Sequence, residues 1–491
     1  MTIWKGVALA AVAMETFSAF AVAERILPEG AFAKREAAAR PDVRTVVVSP
    51  DETLGPVKPV NGVNNAPIAP RAYQSRSNFA AYKAANIPYA RNHDAVFFSG
   101  YGGSHASDIT AIFPDFDRDE NDPKSYDFAF TDRMLEAALK AGTEPYFRLG
   151  QSIEHGIRKY GIWPPKDFRK WARICEHIVR HYNEGWADGH RWNIRHWEIW
   201  NEASNNATNN PTCWGGTEAE FHDFYEIAAR HLKACFPHLR IGGPATTGWE
   251  AWSERFIVEM ARRKVPLDFF SWHCYLTKIE DVRARAAHMR GYLDANGYTA
   301  TESHLTEWNY VRNWTTEWPY SLSVESGERR MKGAAYVAAF LTACQDSSVD
   351  LATYYDARPM TQMNGLFSCV DYSPLEGYYS IYAWGKLRRL GTQVRAASIG
   401  TGAADDAEDV YATAATDGRG RFGLLLVRYS DDDNSVRTKR VRVRVAGRSL
   451  EGLFAHVVDS HNKFTETPLE ANADGSADLV LEPQAVVYLG N

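Results

Sequence analysis

The chain has 491 residues, and 55 Lys and Arg against 61 Asp and Glu give it a formal net charge of −6. This mildly acidic balance argues against binding to nucleic acid or to an anionic membrane surface, which requires concentrated positive charge. Six cysteines without a C-x-x-C pair argue against a disulfide scaffold and a zinc ribbon. The length predicts one large domain and at least one smaller one.

The N-terminal residues have the pattern of an export signal. Lys5 precedes a small apolar run at 6–14, and Ala21-Val22-Ala23 has the form of a cleavage site, although Glu15 interrupts the pattern. We expect residues 1–23 to be a signal peptide and the mature protein to be periplasmic or extracellular, with a cytoplasmic protein as the alternative. The sequence leaves open whether a disulfide forms after export.

The central part of the chain alternates short apolar runs with long helical patterns. Residues 24–44 lack apolar periodicity and are predicted to be a linker. Alternation of strands and helices is typical of a parallel sheet with crossover helices, and eight strands predict a (β/α)8 barrel over residues 45–391. The strand candidates are Pro59–Val63, Pro88–Arg91, Glu144–Leu149, His196–Ile199, Arg240–Gly242, Asp268–His273, His304–Glu307 and Leu351–Tyr354. The helix candidates include Lys166–Gly185, Thr217–Phe236, Trp249–Arg263, Ile279–Leu293 and Arg329–Cys344.

The composition changes after Gly391. Strand-like segments such as 421–429, the alternation at 441–445 and 484–489 follow one another with turns between them. We therefore predict a small antiparallel, sandwich-like β-domain over residues 392–491. Residues 45–58, ahead of the barrel, are candidates for the same layer.

Two short motifs each place a glutamate after an apolar, strand-like run. They are Trp197-Glu198-Ile199-Trp200-Asn201-Glu202 and Leu305-Thr306-Glu307-Trp308-Asn309. Glu202 and Glu307 are far apart in the chain, but a barrel brings the carboxyl ends of its strands to one mouth. Two carboxyl groups that face each other can protonate a leaving oxygen and stabilise an oxocarbenium-like carbon, which is the chemistry of glycoside hydrolysis.

The two motifs resemble those of the clan A retaining glycosidases, and most closely glycoside hydrolase family 39. The similarity covers most of residues 55–395, and the family contains β-xylosidases, α-L-iduronidases and exopolysaccharide-processing enzymes. The resemblance implies that Glu202 is the acid/base, Glu307 the nucleophile and Asn201 a donor to the sugar 2-hydroxyl. Ala203-Ser204 stands where the family usually has Pro-Asn, which puts the substrate in doubt more than the catalytic role.

Further residues are candidates for binding the sugar. His273 and Tyr275 resemble the His-x-Tyr of the clan, in which the tyrosine lies near the nucleophile. Glu376 resembles a carboxylate that some family members use to hold sugar hydroxyls. Trp308, at the start of an aromatic-rich loop that reaches Tyr320, is either a stacking platform or a packing residue. Polar or aromatic residues at other strand ends complete the set: Arg91, His93, Gln151 and Tyr355.

The sequence thus predicts a retaining glycosidase that acts on oligosaccharides or polysaccharides without a cofactor or metal, with a β-xylosidase as the leading hypothesis. The alternatives are another sugar specificity, such as an arabinosidase, an iduronidase or an exopolysaccharide endoglycosidase, and a non-catalytic carbohydrate-binding protein on the same scaffold. The sugar, its linkage, terminal or internal cleavage and the oligomeric state stay open.

Overall fold

The computed structural model describes residues 43–72, 75–95, 105–154, 156–205, 211–247, 250–312, 330–359, 363–399 and 410–490. The predicted signal peptide and residues 24–42 of the predicted linker lie outside these ranges, as does the loop with Trp314, Trp318 and Tyr320. Val43 and Arg44 are the first residues of a strand and not the end of a linker. In the described part of the chain no helix has both the length and the apolar character to cross a bilayer.

Strand β1 (Val43–Pro56) precedes a closed barrel of eight parallel strands. This confirms the predicted barrel. Its strands, in both chain order and spatial order, are β2 (Gly62–Asn64), β3 (Tyr89–Arg91), β4 (Glu144–Leu149), β5 (His196–Ile199), β6 (Arg240–Thr246), β7 (Phe269–Leu276), β8 (Glu302–Tyr310) and β9 (Leu351–Tyr354).

Helices cover the outside of the barrel. In the described ranges they are α1 (Phe79–Ala84), α2 (Ile109–Ile112), α3 (Ala129–Lys140), α4 (Phe168–Asn183), α5 (Glu218–Cys235), α6 (Glu250–Arg262), α7 (Ile279–Ala295), α8 (Met331–Gln345) and α9 (Glu376–Leu390). Local signals fix their starts. The Asp167 side chain accepts from the first backbone amides of α4, and Thr217 with Glu220 forms a capping box on α5.

The second domain is a nine-stranded sheet made of β1, which precedes the barrel, and eight strands that follow it. These eight strands are β10 (Thr392–Ile399), β11 (Val410–Thr416), β12 (Phe422–Arg428), β13 (Lys439–Val445), β14 (Phe454–Val458), β15 (Lys463–Pro468), β16 (Ala477–Leu481) and β17 (Val486–Gly490), and the spatial order is β15-β14-β17-β12-β11-β10-β1-β13-β16. Neighbours are antiparallel except for β1 and β13, which are parallel. Along β13, Val441, Val443 and Val445 are buried, as the alternation in the sequence predicts.

The β-domain packs on the barrel through α8. Residues 333–345 of this helix are buried all round, because the barrel covers one side and the sheet covers the other. At this contact the Thr413 hydroxyl donates to the Thr342 hydroxyl at 3.0 Å, and the rings of Tyr336 and Tyr429 meet edge to face.

Candidate active site

Glu202 stands in a tight turn just beyond the end of β5. Trp200 and Glu202 both have a left-handed backbone, with φ of 71° and 47°, which non-glycine residues adopt only where the surroundings enforce it. The Trp200 amide donates to the Leu149 carbonyl at 2.6 Å, and the Glu202 amide donates to the Ala245 carbonyl at 2.9 Å. The turn is therefore tied to the strands on both sides of β5, which fixes where Glu202 points.

Glu307 lies inside β8, because the strand continues to Tyr310 and does not end at the glutamate as predicted. Residues Leu305 and Glu307 pair with adjacent residues of β7, so Thr306 is the extra residue of a bulge. The Thr306 carbonyl is satisfied by the side chains of Asn64, at 2.9 Å, and Thr353, at 2.6 Å. The bulge turns Glu307 into the barrel.

The structure brings the two predicted catalytic carboxylates together. One carboxylate oxygen of Glu202, one of Glu307 and a ring nitrogen of His273 all lie within 4.8 Å of one another. Both glutamates are buried, with 5% and 2% of their surface exposed. In retaining glycosidases the two carboxyl groups are about 5 to 5.5 Å apart, against about 6.5 to 9.5 Å in inverting enzymes. The spacing fits direct attack on the sugar by one carboxylate.

Arg91 organises the floor of the site. Its guanidinium is fully buried and donates to Glu198 at 2.6 Å, to Glu307 at 2.8 Å, to Asn201 at 2.7 Å and to Asn64 at 3.1 Å. Burial lowers its pKa, but the two adjacent carboxylates outweigh that effect and hold the pKa above its ordinary value. Arg91 is thus placed to position Glu307 and Asn201, and not to bind sugar as predicted.

Asn201 is oriented by the same arginine. Because its Oδ1 accepts from Arg91, its amide group is left as a donor, and Nδ2 has no hydrogen-bond partner within the described ranges. A donor aimed from this turn is what the expected contact with a sugar hydroxyl requires.

His273 and Tyr275 contact the two glutamates from β7. The Tyr275 hydroxyl donates to Glu307 Oε2 at 2.7 Å. His273 Nδ1 lies 2.7 Å from Glu202 Oε1 and 3.6 Å from Glu307 Oε2. Burial lowers the pKa of His273 to about 4, so the imidazole is neutral at pH 7 and adds no charge to the pair.

The two glutamates differ in their electrostatic surroundings. Burial raises the pKa of Glu202 to about 7, and it is a larger cause than any neighbouring charge. Burial also raises the pKa of Glu307, but Arg91 and the Tyr275 hydroxyl oppose the rise. Glu202 is therefore suited to hold a proton near neutral pH, while Glu307 has two donors that stabilise its ionised form.

His93 and Tyr355 border the same site. His93 Nε2 is 3.5 Å from Glu307 Oε1, and burial lowers the pKa of this histidine well below its ordinary value. The Tyr355 hydroxyl donates to Asp94 at 2.8 Å. The Gln151 Oε1 accepts from the Thr110 hydroxyl at 2.9 Å.

Two predicted sugar-binding residues make contacts with other parts of the fold. Side chains alternate along a strand, so Glu307 faces inward while Trp308 faces the helices. The Trp308 indole is fully buried and stacks on Phe340 of α8 with ring centroids 3.9 Å apart, which makes it a packing residue. Glu376, at the start of α9, forms an ion pair of 3.1 Å with Lys463 of the β-domain.

Four residues at the site were not singled out from the sequence: Asn64, Asp94, Glu198 and Cys213. Glu198 is the clearest, because a charged residue inside an apolar strand must have a buried partner, and here that partner is Arg91. Cys213 Sγ lies 3.8 Å from Glu202 Oε2, and only the tertiary structure shows this contact.

Comparisons with known proteins agree with this geometry. Residues 69–368 match the family model described as Glycosyl hydrolases family 39. A β-xylosidase of Geobacillus stearothermophilus is 27% identical over 233 residues, 41% of this chain and 45% of that protein. A β-xylosidase of Caldicellulosiruptor saccharolyticus is 28% identical over 216 residues, 39% and 42% of the two chains. The chain spans less than half the length of these two relatives.

The fold is shared with solved structures over nearly the whole chain. A glucosidase from Croceicoccus marinus superposes with a TM-score of 0.71 at 22% identity, over 91% of this chain and 98% of that one. The likeness therefore includes the β-domain as well as the barrel.

Proposed function

The chain belongs to glycosyl hydrolases family 39, and from this membership we propose that it is a retaining glycoside hydrolase that removes β-linked xylose from oligosaccharides. The observation that carries the proposal is the pair of buried carboxylates of Glu202 and Glu307, which have one oxygen each within 4.8 Å of the other. The two β-xylosidases with about a quarter of their aligned residues identical support the choice of sugar.

The first step is attack on the anomeric carbon. Glu307 forms a bond to this carbon as the glycosidic bond breaks, and Glu202 gives its proton to the leaving oxygen. Arg91 and Tyr275 each donate to a different oxygen of Glu307, so the carboxylate is fixed before attack and no donor has to move into place.

The second step needs Glu202 as a base. Formation of the glycosyl ester removes the negative charge of Glu307, and the positive charge of Arg91 is then less compensated. Arg91 already lowers the pKa of Glu202, so this change favours the ionised form that Glu202 has after giving its proton to the leaving oxygen. Glu202 then takes a proton from water, the water oxygen bonds to the anomeric carbon, and Glu307 leaves.

A covalent trap tests the reaction class. The protein is incubated with an activated 2-deoxy-2-fluoro-β-xyloside and digested, and the peptides are weighed. We expect one fluoroxylosyl group on the peptide that contains Glu307, and none in Glu307→Gln. Binding of xylo-oligosaccharides without labelling or hydrolysis would refute the proposal and favour a carbohydrate-binding protein.

A substrate panel tests the sugar. Nitrophenyl glycosides of xylose, arabinose, glucose, galactose and uronic acids are compared by kcat/KM, with Glu202→Gln and Glu307→Gln as controls for contaminating activity. The β-xyloside should be the best substrate. Faster cleavage of the glucoside or arabinoside would replace the proposed sugar but keep the reaction class.

We also propose export. Lys5, the apolar run at 6–14 and Ala21–Ala23 support it. Expression with the native N-terminus, followed by N-terminal sequencing of the mature protein, should give Glu24 as the first residue. A mature protein that retains residues 1–23 in the cytoplasm would contradict this.

A further inference from the structure

Away from the barrel mouth, two histidines and an aspartate converge between α3 and α4. Asp132 lies in the first turn of α3, His181 in the last turn of α4, and His190 in the loop that leads to β5. One ligand atom of each lies within 4.8 Å of the other two. In the described residues the ion pairs of Asp132 are with these histidines, and it makes none with Lys or Arg.

The hydrogen bonds of His181 determine which of its nitrogens faces the aspartate with a lone pair. Nδ1 lies 2.9 Å from the Trp186 carbonyl, which can only accept, so Nδ1 carries the hydrogen. In the neutral ring Nε2 then has a lone pair, yet it lies 3.2 Å from Asp132 Oδ1, which is also an acceptor. A proton or a cation must lie between them. A carbonyl that holds the far nitrogen of a histidine is the usual support for a metal ligand.

His190 approaches the other carboxylate oxygen. Its Nε2 is 3.5 Å from Asp132 Oδ2, and this buried nitrogen has no hydrogen-bond partner among the described residues. No partner of Nδ1 among the described residues fixes the hydrogen of this ring, so Nε2 is free to offer its lone pair to a cation. A single divalent cation satisfies all three side chains.

The ligand rings are held in place by packing. Phe128 stacks on His181 with centroids 3.5 Å apart, and Trp192 stacks on His190 at 3.8 Å. The loop approaches α4 so closely that a Cβ at Gly189 would lie 2.2 Å from the His181 carbonyl oxygen, so only glycine fits there. Little conformational freedom remains to be lost when an ion binds.

We propose that Asp132, His181 and His190 form a binding site for a divalent transition-metal ion, with Zn²⁺ as its ligand. Tetrahedral ligands at about 2.0 to 2.1 Å from zinc are about 3.3 Å apart, and the measured separations of 3.2 and 3.5 Å match this. Two imidazoles favour zinc over Mg²⁺ and Ca²⁺, which prefer oxygen. About 30% of Asp132 and His190 is exposed, so water can supply the fourth ligand. The ion would join α3 to the end of α4 and stabilise the barrel wall.

Metal titration of the untagged full-length protein tests the site. After dialysis against a chelator, Zn²⁺ binding is measured by calorimetry and Co²⁺ binding by visible absorption. Wild type should take up one equivalent of Zn²⁺, show the intense absorption of four-coordinate Co²⁺, and melt at a higher temperature with Zn²⁺.

Three variants locate the ion. His190→Ala and Asp132→Asn should each weaken Zn²⁺ binding by more than about 100-fold, beyond the loss seen for outer-shell partners, and should lose the thermal shift. His231→Ala is the matched control, because His231 belongs to a separate cluster with Glu176 and Cys235, and it should bind as wild type does. The proposal is overturned if wild type binds no stoichiometric Zn²⁺, or if binding survives in both His190→Ala and Asp132→Asn.

Discussion

Replacement of Glu202 by glutamine should stabilise the protein at alkaline pH. In the folded protein the pKa of Glu202 is raised from 4.5 to about 7, with burial as the largest cause. The folded state therefore binds this proton more tightly than the unfolded state. As the pH rises above about 4.5, the unfolded chain releases the proton first, and folding loses stability until the pH exceeds about 7. Glutamine is neutral throughout and does not suffer this loss.

The size of the effect follows from the two pKa values. They differ by about 2.5, and a pKa difference of one corresponds to about 1.4 kcal/mol of folding free energy. Glu202→Gln should therefore be more stable than wild type by about 3 kcal/mol at pH 8. At pH 5 the difference should be about 1 kcal/mol, because in the folded state the Glu202 carboxyl group is then almost fully protonated. The variant should be inactive, which is the usual trade-off between stability and function.

Urea denaturation at pH 5 and at pH 8, followed by tryptophan fluorescence, measures the difference. Glu302→Gln is an opposite-sign control. Burial raises the pKa of Glu302, but the hydrogen bond and charge of His304 outweigh burial and lower it to about 2. This variant should therefore be less stable than wild type by nearly the same amount at pH 5 and pH 8, and the difference should shrink only as the pH falls from about 4.5 towards 2. If wild type and Glu202→Gln lose stability in parallel between pH 5 and pH 8, the assigned pKa of Glu202 is wrong.

Three further substitutions test the roles of individual side chains. Tyr275→Phe removes a donor that lowers the pKa of Glu307, so kcat/KM should fall by about 100-fold and its acidic limb should move to higher pH in a pH–rate profile; an unshifted limb would argue against the contact. Arg91→Met leaves Glu198 and Glu307 buried without a cation, and urea denaturation should show a loss of about 3 to 5 kcal/mol, whereas a fully stable variant would contradict the network. Trp308→Ala should cost about 3 to 5 kcal/mol of stability and leave KM nearly unchanged, while a raised KM at unchanged stability would restore the sugar-platform interpretation.

Much of the barrel is predictable because its signals are local. The bounds of β4, β5 and β9 coincide with the predicted segments. Strands β7 and β8 extend beyond their predictions to Leu276 and Tyr310. Their extra length depends on pairing across a bulge, and a bulge depends on the partner strand, which a single sequence does not specify.

The site was only partly predictable for the same reason. The two glutamates follow recognisable motifs, but the function of Arg91 depends on Glu198 and Glu307, more than 100 residues away in the chain. The two interpretations of Trp308, a stacking platform or a packing residue, could not be separated from the sequence because the choice depends on where its strand ends. Since β8 continues past Glu307, alternation sends the indole to the helices. The alternation of strands and helices along the chain was enough to predict the fold. It was not enough to predict which distant residues pair with the buried charges.

The position of β1 has a consequence for biosynthesis. This strand leaves the ribosome before the barrel, yet its partners β10 and β13 begin at residues 392 and 439. Its valines therefore stay unpaired until more than 300 further residues have been made, and the sheet closes only as the last step. A delayed closure of this kind keeps β1 available to chaperones until its partners have been made, and it joins β1 to the C-terminal strands in one sheet once folding is complete.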